Sequence, residues 1–149
     1  VKIFDSWAGA LAGEPEAFDR WCHAPIASIA ERIRAERPEA PVIAFARGAT
    51  EAQTEALAKE SAIACVAIDE TVDLTFAKER LQPHATVQGN LDPGLLIEGG
   101  EAMRAAARKI VEALGDGPFI FNLGHGVTPD VDPAHVADLV ATVRGAAKA

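Results

Sequence analysis

Short apolar runs alternate with longer segments of helical periodicity along the chain. A continuous apolar run predicts a buried strand, whereas apolar residues three and four positions apart predict an amphipathic helix. The predicted strands cover residues 1–4, 41–46, 62–69, 85–90 and 118–123. The predicted helices cover residues 15–37, 51–59, 72–81, 101–114 and 133–145. Five strand–helix units in succession indicate an α/β fold, with a parallel sheet covered on both faces.

A polar or glycine-containing segment follows each predicted strand. In parallel α/β folds the carboxyl ends of the strands lie on one edge of the sheet, and ligands bind there. We therefore expect the polar side chains of these segments to share one edge. The segments are Asp5-Ser6, Arg47-Gly48, Asp69-Glu70, Gln88-Gly89-Asn90 and Gly124-His125-Gly126.

Length and motifs separate two parallel α/β architectures. The sequence has no GxGxxG motif after the first strand and no P-loop, so no motif supports a doubly wound nucleotide-binding sheet. A complete (β/α)₈ TIM barrel typically takes ~250 residues, and about five of its units fit a chain of this length. We expect residues 1–149 to form a single domain that is part of a TIM barrel.

Charge and cysteine content narrow the expected partners. Lys and Arg number 14 against 22 Asp and Glu, which gives a formal net charge of −8, whereas nucleic acids and anionic membranes bind basic surfaces. Cys22 and Cys65 have no metal-ligand spacing, and two isolated thiols are typical of a reducing compartment. No apolar run reaches the ~18 residues of a membrane span. These features predict a cytoplasmic protein that binds neither nucleic acid nor membrane and has no metal site.

His125 is the best candidate for chemistry in the sequence. It lies between Gly124 and Gly126, which allow backbone amides and a ligand to approach the side chain closely. Imidazole can hold a carboxylate or transfer a proton near neutral pH. The alternative is a histidine that is hydrogen-bonded to a loop carbonyl and has no function of its own.

Four segments resemble a known family when they are taken together. They are FDSWAG (4–9), VIAFARGA (42–49), VQGNLDP (87–93) and NLGHGVTPDVDPAHV (122–136), and they resemble the uroporphyrinogen decarboxylase family. The resemblance covers the chain from end to end and corresponds to the C-terminal half of the family's (β/α)₈ barrel.

The resemblance implies a carboxy-lyase of haem biosynthesis. Such an enzyme converts uroporphyrinogen to coproporphyrinogen by removing four acetate carboxylates, without a metal or prosthetic group, and it usually forms a homodimer. The resemblance also places further substrate-binding residues in the N-terminal half of the family. We therefore expect the 149 residues alone to be inactive and to pair with that half.

The resemblance also assigns roles to individual residues. His125 corresponds to the active-site histidine, with Gly124 and Gly126 beside the substrate, and the Ser6 hydroxyl corresponds to a donor to a substrate carboxylate. Without the family, Ser6 is equally well explained as a turn cap. Arg47 is a candidate carboxylate ligand or a solvated side chain, because the family often has lysine there.

For the remaining polar residues at the strand ends, the sequence predicts a structural role or assigns no role. A structural turn is favoured over pocket contacts at three residues, namely Gln88, Asn90 and Asp92. Glu70 departs from the family, which tends to have tryptophan at this place. No role is therefore assigned to Glu70 from the sequence.

Two other functions stay open at this point. A zinc-dependent corrinoid or thiol methyltransferase of the same superfamily would place a His-x-Cys pair at a strand end, and FARGA (45–49) contains neither ligand. A non-catalytic half-barrel would instead assemble through its unpaired strand edges, with itself or with a complementary half.

Overall fold

Five parallel strands form a single sheet in which spatial order follows sequence order. A computed structural model describes residues 1–146, and its strands are arranged β1-β2-β3-β4-β5. A doubly wound sheet reverses its strand order at a switch point, so this unreversed order is that of a barrel wall. The α/β prediction is confirmed. The strands are Lys2–Asp5, Ile43–Ala46, Cys65–Ala67, Thr86–Leu91 and Phe119–Leu123.

Helical segments connect the strands. The helices α1 to α7 are Pro15–Phe18, Ala24–Glu36, Glu51–Ala58, Leu74–Phe76, Pro93–Glu98, Gly100–Leu114 and Pro133–Ala146. A π-helical turn, Asp19–His23, joins α1 to α2, and a second one, Ala77–Leu81, extends α4. A 3₁₀ helix at Ala8–Leu11 follows β1. Among the described residues, none of the helices combines the length and the hydropathy that a bilayer-spanning segment requires.

Local capping explains where two of the helices begin. The Thr50 hydroxyl accepts a hydrogen bond from the Gln53 amide, and the Gln53 side chain accepts one from the Thr50 amide, which forms a capping box before α3. Asp92 Oδ1 accepts from the Gly94 amide at 2.8 Å and so begins α5. In α6 the buried residues recur every three or four positions, at Met103, Ala107, Ile110 and Leu114.

The two faces of the sheet have different environments. Partners in a parallel register lie on the same face, and one such row, Ile3, Ala44, Val66, Val87 and Phe119, packs in the main hydrophobic core with the helices. The opposite row defines the face that is here called the concave face, and it consists of Phe4, Phe45, Ala67, Gln88 and Ile120.

The second row is only partly covered, because the side chains at its two ends are exposed while Phe45 and Ala67 between them are buried. Phe4 is 61% exposed and Ile120 is 42% exposed, although both are large apolar side chains of the sheet. The expectation that both faces are covered is therefore wrong for residues 1–146. The physical reason is that a barrel wall turns its second face toward the barrel interior, so its strands are apolar without helices on both sides.

Glu55 links α3 to the segment that follows α4. Its side chain is largely buried, and its two carboxylate oxygens accept from Arg80 Nη2 at 2.9 and 3.0 Å. Lys59 Nζ also donates to Oε1, at 2.5 Å. The hydrogen bonds from Lys59 and then Arg80 lower the pKa of Glu55 to about 2 from 4.5. The ionised carboxylate is therefore the form that stabilises the fold.

We predict that Glu55→Gln lowers the free energy of unfolding and that the loss depends on pH. Because the folded pKa is depressed, the contribution of Glu55 is fully present above about pH 4.5 and disappears as the pH falls toward 2. Urea unfolding of both proteins across this range measures the difference. Glu79→Gln, an exposed control in the same region, should change little. A difference that stays constant with pH would contradict the assignment.

Candidate functional site

Two cavities are lined by residues that follow the strands, and the first of them also extends along the face of the sheet that carries Phe4 and Phe45. The first, the His125 cavity, has a volume of about 150 Å³ and is lined in part by Lys2, Phe45 and His125. The second, the Arg47 cavity, has a volume of about 320 Å³ and is lined in part by Ser6 and Arg47. The predicted site residues are thus brought to one edge of the sheet, but they are divided between two cavities.

The imidazole of His125 is held by packing. It follows β5 directly, and its ring centroid lies 6.2 Å from that of Phe45 on β2. Within residues 1–146 the ring nitrogens of His125 make no hydrogen bond. The hydrogen bond to a loop carbonyl, which was the alternative expectation, is not formed. Both nitrogens are therefore available for a ligand or for a proton.

Gly124 is required by the close approach of two strand ends. A Cβ at this position would overlap the backbone nitrogen of Glu70 and would lie 2.5 Å from Glu70 Oε2. A Cβ at Gly126, in contrast, would meet no atom within 4 Å. Gly124 therefore lets the end of β5 pack against the segment after β3, and this contact joins a residue of the His125 cavity to one of the Arg47 cavity.

A buried carboxylate fixes the ends of β2 and β3. Asp69 is 4% exposed, and its Oδ2 accepts from the Gly48 amide at 2.7 Å. Its Oδ1 accepts from the Thr71 amide at 3.0 Å and from the Thr71 hydroxyl at 2.6 Å. These charge-assisted bonds hold the loops that carry Arg47 and Glu70.

Asn90 extends the same arrangement to β4. Its buried amide nitrogen donates to the backbone oxygens of Asp69, at 3.1 Å, and Val72, at 2.9 Å. The side chain thus satisfies two carbonyls of the loop after β3. Asp92 caps α5, as described above. The geometry of both residues is that of loop support.

Gln88 lies on the concave face and not at the turn. Its Oε1 accepts a hydrogen bond from Lys2 Nζ at 2.6 Å. The Lys2 ammonium also lies 4.5 Å from the centre of the Phe4 ring and 5.5 Å from that of Phe45. Burial lowers the pKa of Lys2 below its usual value of 10.5.

Lys2 is a cation of this site that sequence reasoning missed. Strand alternation places position 2 on the same face as Phe4, which is a signal in the sequence, whereas the proximity of Lys2 to Gln88 and His125 comes only from the fold. A charged residue within a strand that faces a barrel interior is unusual enough to mark a functional candidate.

Ser6 and Arg47 share the second cavity. Ser6 is exposed, and Arg47 is about half exposed, with Nη2 3.9 Å from Glu70 Oε1. The backbone oxygen of Arg47 accepts from the Gly9 amide at 2.7 Å, which anchors the base of the arginine to the 3₁₀ helix. Within residues 1–146 the guanidinium donates no hydrogen bond, and its nearest carboxylate is that of Glu70. No group of three or more His, Cys, Asp or Glu side chains in residues 1–146 is arranged to hold a metal ion.

Comparison with known proteins decides the family. The family model described as uroporphyrinogen decarboxylase matches residues 1–146. The chain belongs to the uroporphyrinogen decarboxylase family. It is 49% identical to the uroporphyrinogen decarboxylase of Jannaschia sp. (strain CCS1) over 144 residues, which are 97% of this chain and 41% of the relative.

Two further relatives give the same result. The uroporphyrinogen decarboxylases of Sphingopyxis alaskensis and Rhodospirillum rubrum are each 46% identical over 145 residues, 97% of this chain. The chain spans 42% and 40% of these relatives, respectively. The family is a carboxy-lyase family, and the unreversed parallel sheet of this chain is a portion of a TIM barrel.

We predict that Gly124→Ala destabilises the fold where Gly126→Ala does not. The added methyl group at position 124 must displace Glu70, and overpacking of this kind costs about 1–3 kcal/mol. The methyl group at position 126 enters open space, so its effect should stay within about 0.5 kcal/mol. Chemical denaturation of both variants measures the difference. Equal stabilities would show that the ends of β5 and β3 are not in contact.

Proposed function

We propose that the chain forms part of the substrate site of a uroporphyrinogen decarboxylase. The reaction removes four acetate carboxylates from uroporphyrinogen and gives coproporphyrinogen, as in haem biosynthesis. The observation that carries the proposal is the unbonded His125 imidazole at the carboxyl edge of the sheet, beside a cavity that contains Ser6 and Arg47. The family of the chain supplies the substrate class.

The chemistry explains why such a site needs cations and a proton carrier. A pyrrole ring is first protonated at a ring carbon and becomes an electron sink. The bond between the acetate methylene and its carboxylate then breaks, carbon dioxide leaves, and the electron pair enters the ring. A proton added to the methylene and one lost from the ring complete the step. Because the substrate is its own electron sink, we propose that no metal or prosthetic group takes part.

The charge distribution supports a carboxylate-rich ligand at this edge. The chain is acidic overall, with a net charge of −8, so an anionic ligand must find local cations. Lys2 and His125 line one cavity and Arg47 lines the other. We propose that Arg47 and the Ser6 hydroxyl bind substrate carboxylates and that His125 binds a carboxylate or transfers a proton.

We predict that His125→Asn weakens binding of uroporphyrin, the oxidised and stable form of the tetrapyrrole. Loss of one hydrogen bond to a charged group costs about 1.5–3 kcal/mol, which corresponds to roughly a tenfold or greater loss of affinity. Fluorescence titration of the 149-residue chain measures it. The control is His84→Asn, an exposed histidine at the amino end of β4. Equal affinities for the two variants would remove His125 from the site.

Turnover of the substrate is expected to differ from its binding. The chain spans about two fifths of its relatives' length, and we propose that it binds the tetrapyrrole without converting it. Incubation with uroporphyrinogen under reducing conditions, followed by separation of the porphyrins by carboxylate number, tests this. Conversion to coproporphyrinogen by the 149 residues alone would contradict the expectation and would place a complete catalytic site within them.

We also propose a partner and a cellular location for the chain. The exposed Phe4 and Ile120 on the concave face favour a complementary barrel segment as a partner. A family-like homodimer and assembly through the outer edges of β1 and β5 are the alternatives. The two cysteines, Cys22 and Cys65, are buried and free, which supports a cytoplasmic location.

A further inference from the structure

The carboxylate of Glu70 lines the Arg47 cavity, lies close to Gly124 of the His125 cavity, and has few partners. Its Oε1 is 3.9 Å from Arg47 Nη2, which is beyond hydrogen-bond distance. Its Oε2 packs against Gly124, and it is the one side-chain nitrogen or oxygen in residues 1–146 that is buried without a hydrogen-bond partner. One oxygen is thus loosely paired with a cation, and the other has no donor.

The neighbouring acid has a different environment. Asp69 is satisfied by the Gly48 amide and by Thr71, so its charge is committed to the loops. Glu70 is therefore the carboxylate that is left to face the Arg47 guanidinium. A partly exposed ion pair at 3.9 Å is weak, whereas a carboxylate that reaches a guanidinium in bidentate geometry is held much more strongly.

We propose that Glu70 is a positioning residue that sets the affinity of the Arg47 cavity for carboxylates. Glu70 holds the guanidinium at the cavity when no ligand is bound, and a ligand carboxylate replaces Glu70 as the partner of Arg47. This inference rests on the proposed function, which supplies a carboxylate-rich ligand.

The proposal predicts the sign of a mutational effect. A ligand carboxylate competes with Glu70 for Arg47 and is repelled by the charge of Glu70. Removing that charge should therefore strengthen binding, although the residue lines the cavity. A residue that only supports the loop would give weaker or unchanged binding when it is replaced.

The experiment measures the affinity of the 149-residue chain for two probes, uroporphyrin and citrate, at low and high salt. We expect Glu70→Gln to bind both probes roughly threefold to fivefold more tightly at low salt, and the gain to shrink in 1 M salt because salt screens the charges of the partly exposed Arg47–Glu70 pair. The gain should also be lost in an Arg47→Gln background. Glu39→Gln, which removes an exposed charge at the amino end of β2, is the control.

A second variant covers the case in which Glu70→Gln does not fold. Glu70→Met has a similar length and places no polar atom at the buried Oε2 position, so we expect it to fold and to show the same gain. Circular dichroism verifies folding. Unchanged or weaker binding of both probes by the folded variants would overturn the role of Glu70, and so would a gain that persists without Arg47.

The two probes separate this inference from the proposed function. If Glu70→Gln binds citrate more tightly while uroporphyrin binding does not depend on His125, the role of Glu70 stands and the proposed function fails. If uroporphyrin binding depends on His125 but no Glu70 variant gains affinity, the proposed function stands and the role of Glu70 is overturned. Absence of binding of either probe to any variant overturns both.

Discussion

The hydrogen bonds of the buried Asp69 carboxylate are the constraint on which the candidate site depends. A buried charge is tolerated only where donors surround it, and here the donors come from the Gly48 amide and from Thr71. Asn90 then ties the loop after β3 to β4. The ends of three strands are thereby held in one arrangement, and the side chains that face ligand take their places from it.

Some polar groups of the site support the loops, whereas others are available to a ligand. Asp69 and Asn90 have their hydrogen bonds satisfied within the protein, whereas His125 and Arg47 keep donors that the described residues do not fully use. This division lets an acidic chain present the Arg47 cation and the unbonded ring nitrogens of His125 at one edge. Gly124 makes this arrangement of the strand ends sterically possible, because a side chain at position 124 would separate the ends of β5 and β3.

The elements of the fold followed from the sequence because apolar runs and helical periodicity are local signals. The run at 62–69 illustrates the limit, since only Cys65–Ala67 pairs as β3 and Asp69 leaves the strand to bind the neighbouring loop. The exposed concave face was not expected, because a buried strand of a barrel wall and a doubly covered strand have the same apolar pattern.

The candidate site was predicted less completely than the fold. His125 was identifiable from its flanking glycines, and the segments of the family motif marked Ser6 and Arg47. Lys2 carried only one signal in the sequence, a charge within a predicted strand, and Glu70 carried none, because their partners are distant in sequence: Gln88 for Lys2, and Arg47 and Gly124 for Glu70. The measurement that tests the site most directly is ¹⁵N–¹H NMR mapping of backbone amides during titration with uroporphyrin. Shifts concentrated at residues 6–9, 47–50, 69–71 and 124–127 are the predicted result, and shifts confined to the amino-end loops or to the surface of α7 would contradict it.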